Sequence, residues 1–522
     1  MAAVEPDPHD TTTGWGPWRW PVVALIGAAL VIGVVLRFVA RSPLWLDEAL
    51  SVNIARLPIG EIPDALRVDG HPPLYYVLLH GWMDLFGTGS VAVRAFSGLW
   101  AVALLPLTWI AGRRLGGRRV AWFAVALLAL SPFAIRYGTE TRMYAMVAVL
   151  SLVGWLLVDD ALRAPALWRL GAVAVVAGAL LWTHYWAMWL LAVAGAALAV
   201  RAWRERRHGQ ADDLAATLKV LGAFVVGGVL FLPWVPNLLY QSSHTGTPWA
   251  RPLRPTEMVT GTIADLGGGP LAEAVLLGWL LAVAVVLGVF GRATGRYTVA
   301  LDVRTRLEAR PFAVLITGIL ALACVVGYAT SATYATRYAA VFFPFVILLA
   351  ALGLDRLRSR PLVVGALGVL LLLGGIGGVR NVVTDRSDAR RSVEAIEAAG
   401  EPGDVVVYCP DQLGPSTSRL LGDGFEQVTY PSFGRPERVD WVDYKERLAE
   451  ASPQRFAEEL LRRAEGRRIF LVYSSTYTTH EEACPAVYNA IAAGGRQPRA
   501  LTQLGDAFEP ATVVVFEQLP PA

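Results

Sequence analysis

Asp47 and Glu48 stand side by side directly after the first long apolar run of this 522-residue chain, and His71-Pro72-Pro73-Leu74-Tyr75-Tyr76 follows in the same polar stretch. A carboxylate beside a membrane span costs free energy unless it is solvated, paired or used, so these charges are the first candidates for chemistry. The paired prolines stop any preceding helix and hold the backbone extended, which fixes the imidazole and the two phenols after it. Three further segments between apolar runs carry arginines, a glutamate, a histidine and tyrosines: Arg136-Tyr137-Gly138-Thr139-Glu140-Thr141-Arg142-Met143-Tyr144, Trp182-Thr183-His184-Tyr185-Trp186 and Tyr334-Ala335-Thr336-Arg337-Tyr338. Arginine grips phosphate through a planar fork and tyrosine adds a neutral hydrogen bond, so Arg136, Arg142, Arg337 and Tyr338 suit the headgroup of an anionic lipid. Glu140, Tyr75, Tyr76, His184 and Tyr185 are expected to line the same cavity. Tyr144, Trp182, Tyr185 and Trp186 also fit an interfacial aromatic belt, and each arginine by itself could simply pair with a carboxylate.

Composition says what must position these groups. With 55% apolar residues, 17% charged ones and 18 tryptophans, the chain reads as a polytopic α-helical membrane protein. Apolar runs long enough to cross roughly 30 Å of hydrocarbon lie near residues 20–39, 92–112, 120–136, 143–159, 167–183, 186–202, 215–235, 271–291, 311–330, 339–354 and 361–378, about eleven spans. Arg113, Arg114, Arg118 and Arg119, then Arg201, Arg204, Arg206 and Arg207, then Arg292 to Arg310, then Arg356, Arg358 and Arg360 occupy alternate connections. Positive residues stay on the cytoplasmic side, so the N-terminus is expected inside, the C-terminus outside, and the polar segments above on the extracytoplasmic face of a plasma membrane. Met1 to Arg19 is polar and no small-residue cleavage site follows the first run, which predicts an uncleaved first span. The basic residues are distributed by membrane side, not gathered into a stripe, which argues against nucleic acid as a partner. Lys219 and Lys445 are the only lysines, a bias that fits a genome rich in G and C.

Residues 1–378 thus form the expected membrane domain, with a first extracytoplasmic loop over 40–91, and residues 379–522 form a separate water-soluble domain. In the latter, Val405 to Tyr408, Ile469 to Tyr473 and Thr512 to Phe516 read as strands, and Pro453 to Glu465 and Glu481 to Ala493 as helices. Strands separated by helices predict a small α/β fold with a largely parallel sheet. No glycine-rich phosphate loop follows any strand, so a nucleotide site has no support, and scaffolding or acceptor recognition is the expected role. Cys324 sits in a span as a small apolar side chain. Cys409 and Cys484 both fall in the soluble domain, where an oxidising compartment permits a disulfide; two lone cysteines do not make a metal site.

The order Trp45-Leu46-Asp47-Glu48, His71-Pro72-Pro73-Leu74-Tyr75-Tyr76, Arg136 to Tyr144 and Thr183-His184-Tyr185 resembles the GT-C integral membrane glycosyltransferases. More narrowly it resembles their family 39 branch, the protein mannosyltransferase-like enzymes and the relatives that transfer aminoarabinose to lipid A. The likeness covers roughly residues 20–360, and the C-terminal domain has no such match. It implies inverting transfer of a sugar, mannose or arabinose first among them, from polyprenyl phosphate to a cell-envelope glycan, glycolipid or protein at the outer face. It also implies roles: Asp47 as the general base on the acceptor hydroxyl, Glu48 as a group that orients the acceptor or holds the site, and Glu140 as a second polar contact. His71 and Arg337 would stabilise the departing lipid phosphate, with Arg136 or Arg142 as substitutes. Relatives differ in use of a divalent cation; no dense carboxylate cluster such as Asp-x-Asp occurs here, so metal independence is expected. The soluble domain is not the β-trefoil of eukaryotic protein mannosyltransferases, which puts a protein acceptor in doubt. Two rival readings stay open. A lipid-linked sugar flippase would want mid-span charges and repeated halves, and a non-catalytic envelope scaffold would make Asp47 dispensable.

Overall fold

The computed structural model describes residues 19–245, 253–330, 334–477, 479–480 and 482–518. The expectation for Met1 to Trp18, and the parts of the predicted segments at 331–333 and Glu481, lie outside the described residues.

The first span is α1 (Arg19–Leu36). The long polar loop after it folds into α2 (Leu46–Ala55), α3 (Ile62–Asp69) and α4 (Leu74–Phe86). The chain then runs through α5 (Ser90–Ala129), the short α6 (Pro132–Gly138), α7 (Tyr144–Arg163), α8 (Leu167–Thr183), α9 (Ala187–Arg207) and α10 (Ala211–Phe231). Next come α11 (Val235–His244), α12 (Pro255–Leu266) and α13 (Ala272–Phe290), then a small antiparallel hairpin of β1 (Gly291–Ala293) and β2 (Val299–Leu301) that the apolar pattern does not signal. The membrane part ends with α14 (Arg310–Thr330), α15 (Phe343–Asp355) and α16 (Arg360–Val383).

Among the described residues 7 helices are long and apolar enough to cross a membrane, and α1, α8 and α15 are shorter apolar helices of the same bundle. The protein is a multi-pass membrane protein. The 40-residue α5 supplies two of the expected spans because it turns at Gly116 and Gly117, where φ of +77° at Gly117 is open to glycine and strained for other residues. That turn sits among Arg113, Arg114, Arg118 and Arg119, a run no apolar bilayer would hold. α15 is buried along its length and packs on α13 through small residues: a Cβ on Gly353 would overlap the carbonyl of Ala284, and one on Gly288 that of Leu349. Such close approach is how helices associate where lipid removes the hydrophobic drive.

The last span runs to Val383, past the expected boundary at 378, and hands over to α17 (Ala389–Ala399). The C-terminal domain then contains β3 (Val405–Cys409), α18 (Gly414–Ser418), β4 (Glu426–Thr429), α19 (Tyr444–Glu450), α20 (Pro453–Ala464), β5 (Ile469–Tyr473), α21 (Ala483–Ala493), β6 (Arg496–Ala500) and β7 (Thr512–Gln518). The sheet order is β4-β3-β5-β7-β6. β3 pairs parallel with β4 and β5, but β7 runs antiparallel to both β5 and β6, so the sheet is mixed and not largely parallel as expected. No helix crosses over between β6 and β7, and without a crossover neighbouring strands must run antiparallel. The two unforeseen strands, β4 (Glu-Gln-Val-Thr) and β6 (Arg-Gln-Pro-Arg-Ala), are edges and carry no apolar run. The inner strands β3, β5 and β7 are apolar on both faces because α20 and α21 cover one side and α17 the other. Cys409 and Cys484 are joined in a disulfide, their Cα atoms 5.5 Å apart.

This domain folds back on the first loop. Val439, Trp441 and Tyr444 bury one apolar cluster with Trp45, Leu46 and Leu50 of α2 and its approach. Asn53 donates to the Glu437 carbonyl at 2.7 Å, and Arg419 donates to Asn53 Oδ1 at 2.9 Å and to the Thr88 carbonyl at 3.1 Å.

Candidate active site

α2 begins at Leu46, so Asp47 and Glu48 occupy its first turn, where the helix dipole favours negative charge. Neighbours on a helix point roughly 100° apart, at 3.6 residues per turn, so the two carboxylates cannot share a direction. Glu48 turns inward and is fully buried. It accepts from Arg94 Nε at 2.8 Å, Arg94 Nη2 at 2.6 Å and the Thr141 amide at 3.0 Å, with Arg386 at 3.8 Å. Burial by itself would push its carboxyl up, but the charges of Arg94 and Arg386 and these hydrogen bonds hold it below the usual range. Glu48 is therefore no cavity group: it clamps α2 to α5 and to the C-terminal domain.

Asp47 turns outward. Its Oδ2 lies 3.4 Å from Arg337 Nη1 and 4.0 Å from Arg142 Nη2, and the side chain keeps 16% of its exposure. Gly70, left-handed at φ +93°, closes α3 just before His71, and Pro73 caps the start of α4, so the prolines open a helix where an extended segment was expected. His71 is held from both sides, with Nδ1 2.8 Å from Asp69 Oδ2 and Nε2 2.8 Å from Arg142 Nη2. A guanidinium only donates, so in this contact Nε2 is the acceptor and Nδ1 faces the Asp69 carboxylate. Arg142 also donates to Ser51 Oγ at 3.1 Å and Tyr76 Oη at 3.2 Å, and Tyr76 donates to Asp69 at 3.4 Å. Asp69, His71, Arg142 and Asp47 thus form one connected chain. Asp69 escapes sequence reading because it ends an amphipathic surface helix; its place two residues before His-Pro-Pro is the signal that could have found it.

The other expected cavity residues fall behind this chain. Tyr75 is buried in the core, its hydroxyl 2.9 Å from Ser97 Oγ and its ring on Phe96, and Tyr76 is equally buried. Glu140 is buried beside Arg136 Nε at 4.0 Å, and loss of solvent pushes its carboxyl up. Arg136 lies over the ring of Phe508 from the C-terminal domain, 5.2 Å from its centroid. His184 accepts the Trp186 amide at 3.0 Å in the turn between α8 and α9. Tyr185 bonds Gln241 and accepts from Trp234 Nε1 at 2.9 Å, away from Asp47. Tyr338 stacks on Trp186 at 4.8 Å, with the Arg337 guanidinium 5.8 Å from its ring. What does meet Asp47 and Arg337 is a recess of about 220 Å³, lined by Trp45 and Leu46 on one side and by Gln412, Trp441, Thr476, Tyr477 and Thr479 of the C-terminal domain on the other.

Over residues 70–235 the sequence matches the family described as dolichyl-phosphate-mannose-protein mannosyltransferase, a stretch that holds His71, Arg142 and His184 and leaves out Asp47 and Arg337. The fold aligns with the crystal structure of ArnT from Cupriavidus metallidurans bound to undecaprenyl phosphate, at a TM-score of 0.59 and 16% identity over 96% of this chain and 98% of that one. The chain has the GT-C membrane glycosyltransferase fold. The apo form of the same ArnT aligns at 0.57 with 16% identity and the same coverage. The oligosaccharyltransferase of Archaeoglobus fulgidus with zinc and sulfate aligns at 0.49, with 12% identity over 90% of this chain and 71% of that one. No curated protein sequence matches. Within the GT-C fold the resemblance is to the protein mannosyltransferase and ArnT branch.

A divalent cation does not fit this GT-C site. Asp47 stands between two guanidiniums that repel a cation, and among the described residues no group of three or more His, Cys, Asp or Glu side chains is placed to hold one.

The sequence reading also missed a carboxylate from the far end of the chain. Glu509, just before β7, accepts the Leu46 amide at 2.6 Å and the Ser416 hydroxyl at 2.5 Å, so it fixes the first turn of α2 beside Asp47. Burial pushes its carboxyl up to about 8. The folded protein then keeps a proton that the unfolded chain releases above the ordinary 4.5, so the stability this group contributes is lost as pH rises from about 4.5 to about 8. Asp411, raised to about 7, adds in the same direction. The detergent-solubilised protein is expected to melt at progressively lower temperature across that window, with a shallower slope in Glu509→Gln. Tryptophan-fluorescence melts check this, and identical slopes would exclude Glu509 as the source.

Proposed function

We propose that the protein is an inverting glycosyltransferase that moves a sugar from polyprenyl phosphate onto an acceptor hydroxyl at the extracytoplasmic face of the membrane. The observation that carries this is the pairing of Asp47 with Arg337 at 3.4 Å in one recess: a proton acceptor beside an anion-binding guanidinium. The acceptor oxygen attacks the anomeric carbon, its proton passes to Asp47, and the bond from that carbon to the phosphate oxygen breaks with its electron pair on the phosphate. Arg337 receives that charge, and the lipid phosphate itself is the leaving group, so no nucleotide is called for. The undecaprenyl phosphate bound by ArnT, which shares the fold, supports a lipid phosphate here. A phosphate drawing Arg337 to itself would also leave Asp47 less tightly paired, which couples donor arrival to base function. His71 serves on this reading to hold Arg142 in place. The arginine-rich alternate connections and the Cys409–Cys484 disulfide both support an extracytoplasmic C-terminal domain.

The test is transfer of label from polyprenyl-phosphate mannose and polyprenyl-phosphate arabinose to envelope fractions by the purified, reconstituted protein. Transfer from at least one is expected, and none from either would overturn the reading. Arg337→Ala should raise the donor KM about 10- to 100-fold, the scale of one charge-assisted hydrogen bond, and leave the acceptor KM alone. An unchanged donor KM would take Arg337 out of the phosphate site.

A further inference from the structure

The recess in front of Asp47 has two chemically different walls. Both of its charged groups, Asp47 and Arg337, come from the membrane domain; the C-terminal domain contributes one amide, two threonine hydroxyls, a phenol and an indole. We propose that Gln412, Thr476 and Thr479 form a sugar-binding subsite for the acceptor, so that the acceptor is a neutral glycan. This rests on the transferase reading above and goes further by naming the acceptor class.

Three observations carry it. Amide and hydroxyl side chains both donate and accept, which is what the hydroxyls of a sugar require, while the mostly buried Trp441 and Trp45 reach the recess with the edge of their apolar cluster. These polar groups are also held from behind. Gln412 Nε2 donates to Tyr444 Oη at 3.3 Å; Tyr444 in turn donates to the buried Asp411 at 2.5 Å and lies 3.4 Å from His480 Nε2. Thr479 Oγ1 meets His480 Nδ1 at 3.0 Å, and Thr476 Oγ1 meets Ser474 Oγ at 2.9 Å. Buried polar support of this kind preorganises a site and leaves the front of each side chain for a ligand. Finally, the disulfide staples the two loops together: Cys409 ends β3 just before Asp411 and Gln412, and Cys484 lies in α21 just after Thr479 and His480. A recess of about 220 Å³ suits one ring-sized group more than an extended peptide.

The test uses the full-length protein in nanodiscs with three probes: a mannan oligosaccharide fragment, an arabinan oligosaccharide fragment and a Ser/Thr-rich peptide. Binding is read by tryptophan fluorescence and saturation-transfer NMR. At least one fragment is expected to bind, each of Thr476→Val and Thr479→Val to weaken it about three- to tenfold, and undecaprenyl phosphate binding to stay as in the wild type. Threonine to valine keeps the shape, and Gln412→Met gives an independent arm should either valine variant melt early. Failure of both fragments to bind, or wild-type affinity in all three variants, overturns the subsite, as does peptide binding that depends on the same residues. Sugar transfer to a peptide would sink the subsite and leave the transferase standing. Fragment binding without transfer from any donor would do the reverse.

Discussion

Asp47→Asn is expected to lower the turnover of sugar transfer about 10²- to 10⁴-fold, the usual contribution of a positioned general base, while leaving the melting temperature near that of the wild type. The asparagine has the same size and keeps an oxygen toward Arg337, so neither the first turn of α2 nor its capping by Glu509 is disturbed. It loses the charge that pairs with Arg337 at 3.4 Å and Arg142 at 4.0 Å. Donor phosphate should then meet a less occupied guanidinium, so the donor KM should stay level or fall as turnover collapses. That split separates a base from a mere structural anion, whose loss would weaken donor binding and stability together. Steady-state kinetics with labelled polyprenyl-phosphate sugar decide it, and turnover within threefold of the wild type would sink the base assignment.

Glu48→Ala, one residue along, is expected to act on stability and not on chemistry first. Arg94 is 3% exposed and Arg386 is likewise buried, and both would lose the carboxylate that neutralises them. Removing one partner of a buried ion pair costs on the order of 3–5 kcal/mol, because the remaining charge stays stranded. Equilibrium unfolding in detergent should register that loss, and Glu48→Ala combined with Arg94→Ala should be less damaging than the sum of the two singles. Additive effects, or a loss under about 1 kcal/mol, would mean that the pair is solvated and does not clamp α2.

These two neighbours illustrate what could be read without the fold. The apolar runs are long, and each falls on a helix of the bundle because spanning hydrocarbon demands an uninterrupted apolar segment whatever its neighbours do. The polar connections were legible for the same reason, since groups expensive in lipid stand out. Within them, type and position did not reveal direction. Arg142 and Arg337 sit in similar arginine-tyrosine segments, yet Arg142 is bonded to His71, Tyr76 and Ser51 behind the site, and Arg337 opens onto the recess. Tyr75 and Tyr185 are held by Ser97 and Trp234, and His184 by the turn before α9 and the ring of Tyr338, contacts that their neighbours in the sequence do not reveal.

The C-terminal domain was legible in its strongest parts only. β3, β5 and β7 are apolar enough to be seen, whereas β4 and β6 are polar edges whose pairing depends on their neighbours. Nothing local in Gln412, Thr476, Thr479 or Glu509 marks them as belonging to the same site as Asp47, hundreds of residues upstream.

By itself, then, the sequence determined that this chain is a helical membrane protein with a C-terminal α/β domain, and that Asp47 stands in the polar loop that follows the first span. Hydrophobic length and the charge asymmetry of connections are local properties, and they act on each segment alone. Only the tertiary structure decided that Asp47 faces a cavity while Glu48 is clamped, and that the far domain roofs that cavity. Those outcomes depend on helical rotation and on pairings such as Leu46 with Glu509, or Arg386 with Glu48 and Thr139, which exist only once distant segments are packed together.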